Sequence, residues 1–391
     1  DGPGTLCLNN PLAVGIGTSA VYSGTTTVNA GTLIVGTGGT TGNIGTGAIT
    51  NNGSLIFNRS DEITIAGAIS GTGTLEKKGA GVLNLTGGGA HSGDSLVSNG
   101  TLRLGTVAHT GSTFRATTGG TLAAGTAAAV GTSTAVGLAL NGGEITTRLS
   151  TAASDKFDVT NLSVNAASTV TCVANGPLQV GNVIPLIDYT GSIGGSSGFA
   201  GLSLASSGNP HYSFALVDNT TDTRVDASVT AVDAVVWTGD LNATWDVLTT
   251  ANWKTESNNV ASLFYDYDAV KFTDAGSAAP VVALFGDIKP AVVEFDSTIN
   301  YELTGDGIVG SASLVKKNSG TAKLNNANAY TGATTVNAGT LELGDSGSIA
   351  AASAITNNAT FAINRSVAST FTNVVAGSGS LVKRGTGDLT L

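Results

Sequence analysis

A chain of 391 residues with 17 Lys and Arg against 27 Asp and Glu carries a formal charge of -10, which argues against nucleic acid or an anionic membrane as a partner, since both need clustered basic surface. Charged residues make up 11% and glycine reaches 55 positions, a balance that suits an extended array faced with Thr, Ser and Asn better than a charged globule. No apolar run approaches the roughly 18 residues of a membrane span, no signal-peptide pattern is present, and two cysteines are too few for a disulfide scaffold. Methionine is absent and residue 1 is Asp, as expected of a processed product or of a window from something longer.

Residues 1–105 read as β-solenoid repeats. The segment GTGTLEKKGAGVLNLTGGGAHSGDSLVSNGTLRLG, from Gly71 to Gly105, recurs without a gap as GSASLVKKNSGTAKLNNANAYTGATTVNAGTLELG, from Gly310 to Gly344. Its second half stands earlier as YSGTTTVNAGTLIVG, from Tyr22 to Gly36, and its first half recurs as GSGSLVKRGTGDLTL, from Gly377 to Leu391. A kept period of this kind marks a repeat architecture. In Leu33-Ile34-Val35, Leu102-Arg103-Leu104 and Leu341-Glu342-Leu343 the outer positions stay aliphatic while the middle one varies. That is the period of a strand with one face buried. Equivalent glycines recur at a spacing near 68, or about three coils of ~22 residues, a length typical of solenoids. The stretch PLAVGIGTSAV before Tyr22 reads as an insertion looping out of one coil, a candidate contact loop.

From residue 106 to 236 the motif disappears but strand signals continue, which predicts further coils, with a small inserted β region as the alternative. Residues 237–303 form an aromatic and acidic transition segment that holds Trp237, Trp245 and Trp253. Its aromatics are expected to plug the start of a new solenoid block; the alternative is a glycan-binding surface of Trp237, Trp245, Trp253, Tyr265 and Tyr267. From 304 to 391 the repeats resume.

GTGTLEKKGAGVLNL followed by YTGATTVNAGTLELG resembles the autotransporter-associated β-strand repeat of bacterial passenger domains. DKFDVTNLSVN at Asp155, VGNVIPLIDYTG at Val180 and WTGDLNATWDVLTTANW from Trp237 resemble stretches that such proteins carry between repeats. The resemblance implies a parallel β-helix, right-handed, on an extracellular or bacterial surface protein. It implies no particular biochemical activity.

Chemistry is weakly signalled. GDSGS at Gly344–Ser348 resembles a serine-protease nucleophile loop, yet it follows LELG where a repeat corner is due, and His91, His109 and His211 stand alone in sequence. Asp266, Asp268 and Asp274, with Asp240, are the weak Ca²⁺ candidates; none has the spacing of a calcium loop. A polysaccharide-acting β-helix enzyme would need carboxylates beside a cleft, for which Asp155, Lys156 and Asp158, or Asp222, Arg224 and Asp226, are the available groups. Asn58-Arg59-Ser60 and Asn364-Arg365-Ser366 match the N-glycosylation pattern at a frequency chance explains. Six basic residues, Lys77, Lys78, Lys316, Lys317, Lys383 and Arg384, repeat in one place and read as a solvated corner. Cys7 is expected to point outward and Cys172 inward, too far apart to bond.

No catalytic group, cofactor or metal is therefore assigned. Gly2–Leu8 matches Gly385–Leu391, so subunits are expected to stack head to tail through Gly4, Thr5, Leu6, Cys7 and Leu8 against Gly387, Asp388, Leu389, Thr390 and Leu391. The expected product is a non-catalytic extracellular filament or sheath, each subunit adding about 80 Å from ~17 coils. The rival readings are an adhesin-type passenger fragment that binds glycan or a host surface, and the polysaccharide enzyme.

Overall fold

A period of two puts Leu33 with Val35, and Leu55 with Phe57, on one buried face, while Ile34 and Ile56 remain half-buried on the other. Buried on one side only, such a strand must pair with a copy of itself, and stacking the repeats achieves this. The computed structural model describes residues 4–9 and 22–391, and the insertion at 11–21 lies outside them. The described chain is a β-solenoid of parallel strands, about 17 turns in all, organised as two compact units.

The first unit comprises the residues up to Val173, Gly181–Gly208 and Phe214–Val229. From Thr74 to Leu204 successive strands alternate between two sheets, so each turn adds a rung to both, while Thr26–Val28, Ile49–Asn51 and Ile69–Ser70 form a third, three-stranded sheet. The rungs are parallel and in register. Leu8, Val35, Phe57, Lys77, Val97, Ala116, Leu140 and Val164 form one inward column. Beyond residue 105 the turns continue with longer strands, Thr132–Asn141 and Lys156–Ala166. At Val183–Asp188 the neighbour becomes antiparallel, Arg224 opposing Asp188 and Ser228 opposing Val183. The reversal is built by a tight turn: Asn219 Oδ1 accepts the amide of Asp222 at 3.2 Å and Thr223 takes a left-handed φ of 49°.

The second unit comprises Ala174–Val180, Asn209–Ser213 and Thr230–Leu391. It repeats the design with its own pair of larger sheets. Phe272, Phe295, Lys316, Val336 and Asn357 form its inward column.

A lysine in the middle of each apolar column corrects the expectation of a solvated basic corner. Lys77 and Lys316 are 2% and 0% exposed. Leu75 and Lys77 lie two apart on one strand, so both must face inward. The stem fills the slot that phenylalanine fills one turn away, and the ammonium bends into the corner. Lys77 Nζ donates to the carbonyls of Gly79 and, at 3.1 Å, Asn99 on the next turn; Lys316 Nζ donates to Lys317, to Asn318 at 2.7 Å and to Ala338 at 3.4 Å. Both ammoniums are pushed down to about 8 by burial. The next turn meets each cation with a glycine, Gly100 or Gly339, at φ 67° and 66°. A Cβ there would lie 2.7 or 2.9 Å from Nζ. Lys78 and Lys317 point the other way, and Lys317 pairs with Glu294 at 2.7 Å.

The two Asn-Arg-Ser strings are corners of the same kind. Arg59 is 1% exposed, donates to the carbonyl of Gly42 and pairs with Asp61 at 2.7 Å. Arg365 donates to the carbonyls of Gly344, Asp345 and Gly347. Unpaired corner carbonyls would be costly to bury, and a cation with several donors satisfies them together.

Candidate functional site

The aromatic segment is the core of the second unit's opening turns. Trp237, Trp245 and Trp253 are each 0% exposed, which overturns the glycan-binding reading for them, since a sugar needs an open ring face. Trp253 lies edge-on to both others, with centroids 5.0 and 5.1 Å away, and Phe272 stacks on Phe295 at 4.8 Å. Asn252, fully buried, ties the segment: its Nδ2 donates to Thr244 O at 2.7 Å and its Oδ1 accepts the amides of Leu241 and Asn242. Trp237 Nε1 donates to Ala279 O at 3.0 Å, whereas the indole N–H groups of Trp245 and Trp253 have no partner among the described residues. Tyr265 and Tyr267 are half-buried beside this core.

The proposed calcium ligands do not converge. Asp268 is sealed in a hydrogen-bond network, Asp274 accepts the amide and hydroxyl of Thr298 at 2.7 Å each, and Asp240 pairs with Lys254 at 2.8 Å. Burial raises the carboxyl of Asp266 above its ordinary range, which weakens it as a hard ligand. Among the described residues no group of three acids, histidines or cysteines is disposed to hold a metal.

Of the polysaccharide-cleaving candidates, Asp158 is exposed and the others are engaged in ion pairs. Asp155 is 1% exposed, bonded to Arg148 Nε at 2.6 Å and to the amide of Gly131 at 3.1 Å. Lys156 pairs with Asp188, while Arg224 gathers Asp222 at 3.2 Å and Asp226 at 2.8 Å. Asp155 and Asp226 are thereby held inside the wall, whereas Asp158 and Asp222 are exposed. In the GDSGS string, Asp345 accepts the amide of Ser366 at 2.6 Å and the loop carbonyls cap Arg365. The string is a repeat corner.

His211 is not isolated, which corrects the sequence reading of that residue. Its Nδ1 lies 2.9 Å from Asp268 Oδ2 and its Nε2 lies 2.8 Å from Ser262 Oγ. Asn209 braces the arrangement, accepting the amide of His211 at 2.9 Å and donating to Asp268 Oδ1 at 2.8 Å. The partners lie more than fifty positions apart in sequence, so no local string could have announced them. His91 and His109 are buried, bonded to Gly73 O at 2.6 Å and Leu104 O at 2.9 Å, and burial lowers both pKa values.

Both cysteines are free thiols, Cys7 exposed and Cys172 buried. Gly4–Leu8 belongs to the first unit, where Thr5–Leu8 pairs with Thr32–Val35 and Leu6 stays 60% exposed. Gly387–Leu391 belongs to the second, where Leu389 and Thr390 pair with Ser369 and Thr370 and Leu391 is 74% exposed. Among the described residues Thr5–Leu8 and Ser380–Arg384 are each the outermost strand of their sheet.

The turns that carry the lysine, the corner glycine and the paired strands are also the turns that match known sequences. The passenger-associated-transport-repeat pattern matches residues 1–35, 75–104 and 314–343. The chain carries the passenger-associated-transport-repeat. In the structure the two later matches each span two successive turns, running from the strand with the inward lysine to the strand after the corner glycine. In these two matches the repeat is therefore a stacking unit, whose first half supplies the cation and whose second half closes over it. Comparison with curated proteins gives no match. No helix among the described residues is long and apolar enough to cross a membrane.

Proposed function

We propose that this chain is a non-catalytic scaffold in an exported bacterial surface protein of the passenger type, and that its outermost turns are completed by a further turn of the same fold. The observation that carries the reading is the pair of strands Thr5–Leu8 and Ser380–Arg384, which among the described residues have no strand neighbour on their outer side and leave Leu6 and Leu381 exposed. Such edges template strand pairing. The covering turn can belong to the same polypeptide, which is the adhesin-type passenger reading, or to another copy of this chain. The second case is head-to-tail stacking into a filament, a heterologous contact that does not close. Stacking is taken as the mechanical role because it covers both edges with the fold's own strand pairing.

Sedimentation of the purified chain over a range of concentrations tests this. Leu6→Lys and Leu381→Lys leave folding intact, since both positions are partly or largely exposed, but place a charge where a stacked turn would bury it. Assembly that both variants abolish supports stacking. A wild-type chain that stays monomeric at high concentration overturns it.

A further inference from the structure

The scaffold reading makes no use of Ser262, His211 and Asp268, all within the second unit. Asp268, 1% exposed, receives three donors: Asn209 Nδ2 at 2.8 Å on Oδ1, and the amide of Tyr265 at 2.8 Å and His211 Nδ1 at 2.9 Å on Oδ2. The tautomer that gives the Asp268 oxygen a donor carries the imidazole proton on Nδ1. Nε2 then faces Ser262 Oγ as an acceptor at 2.8 Å, closer than the carbonyl of Leu263, to which the same hydroxyl can donate at 3.3 Å. Tyr265 packs edge-on against the ring at 5.4 Å and Asn209 fixes the backbone of His211. A nucleophile, a base and a group that orients the base are thus in hydrogen-bond sequence.

Access comes from the serine side. Ser262 lies on Ala261–Ser262, the outermost strand of its nine-stranded sheet, at the end of an exposed stretch from Glu256 to Ala261. His211 is 4% exposed and Ser262 is half-buried, so the serine is the more accessible of the two.

We propose that Ser262 is an activated nucleophile that accepts an acyl group from an ester or thioester donor, giving one acyl-serine per chain. The Oγ–C bond forms while the donor's C–O or C–S bond breaks. The serine proton passes to His211 Nε2 and then to the departing alkoxide or thiolate, which leaves as alcohol or thiol. The acyl-serine ester is the product of this step. Such a site would couple a surface scaffold covalently to an acyl donor, beyond the stacking role and independent of it.

The test treats the full folded chain with a fluorophosphonate probe and, separately, with p-nitrophenyl acetate. The expected results are a single phosphonyl adduct mapped to Ser262 and a p-nitrophenolate burst of one equivalent without steady turnover. Ser262→Ala should lose both, with unchanged circular dichroism. His211→Gln should slow labelling by roughly 10²-fold or more, the usual contribution of a positioned base. Should His211→Gln fail to fold, the wild-type and Ser262→Ala results decide alone. No adduct on folded wild type, or an adduct at another residue, overturns the proposal and leaves the triad as a clip between Asn209–Ser213 and the turn that follows Ser262. Continuous turnover that Ser262→Ala abolishes overturns the single-acylation step.

Discussion

Replacing Lys316 by methionine keeps the apolar stem in the column and removes the cation. At neutral pH the carbonyls of Asn318 and Ala338 then lose their donor, a loss of about 1–3 kcal/mol for buried acceptors. The distinctive consequence is in the pH dependence. Burial holds the amine down to about 8, against 10.5 for an ordinary lysine. Between those values the unfolded chain binds a proton that the folded chain has released, so raising the pH favours folded wild type. Linkage allows at most about 1.4 kcal/mol per pH unit. The carbonyl cage favours the charged form and residual screening weakens the effect, so about half of that slope is expected. Urea unfolding followed by tryptophan fluorescence reads the correct unit, because Trp237, Trp245 and Trp253 share it with Lys316. Titrations common to both proteins cancel in the difference. The wild-type advantage over Lys316→Met should widen from about pH 7.5 to about pH 10. A gap that stays flat or narrows refutes the buried ammonium, and a gap near zero throughout returns the lysine to a solvated corner.

Trp253→Ala opens the centre of the aromatic core and should cost about 3–5 kcal/mol, read as a lower urea midpoint; Trp253→Phe, which also removes an indole N–H without a partner among the described residues, should cost less. A loss below about 1 kcal/mol for the alanine variant would contradict the packing. His91 and His109 in the first unit are held below the ordinary imidazole value by burial. As pH falls through about 6.5 the unfolded chain takes up protons that the folded chain refuses, so stability declines on acidification. Thermal unfolding between about pH 7 and pH 5 should show that decline, and His91→Gln with His109→Gln should flatten it; an unchanged slope in the double variant would assign the acid response to other groups. Cys7 should react quickly with a disulfide reagent in the native protein, while Cys172, buried with its thiol pushed up to about 12, should react only on unfolding. Rapid labelling of both would contradict the inward placement.

The architecture was legible because one physical rule repeats: Leu-x-Leu at a period of two, closed by glycine corners, has few ways to bury its face other than stacking. The same rule, carried two residues further, places Lys77 beside Leu75 inside the wall. Composition argues otherwise, because a Lys-Lys pair looks like surface, and only the register with Phe57 and Val97 decides which of the two is buried. The arginine corners had a signal that went unread. AITNNGSLIFNRS, from Ala48, and AITNNATFAINRS, from Ala354, are a second repeat, and its shared arginine belongs to the fold rather than to a glycosylation pattern. The tryptophans were visible as a cluster, but whether an aromatic faces sugar or core depends on which turns close over it. His211 with Asp268 and Ser262 was out of reach altogether, since the chain folds back to unite residues that no spacing rule connects. The antiparallel strand against Val183–Asp188 was hidden for the same reason.

The central claim, that the open edges of this solenoid are completed by another copy, is tested most directly by electron microscopy of the purified, undenatured chain across a dilution series. The account predicts filaments that lengthen with concentration, with an axial strand spacing of about 4.8 Å, and that Leu6→Lys reduces to single particles. Single particles of wild type at every concentration would contradict it.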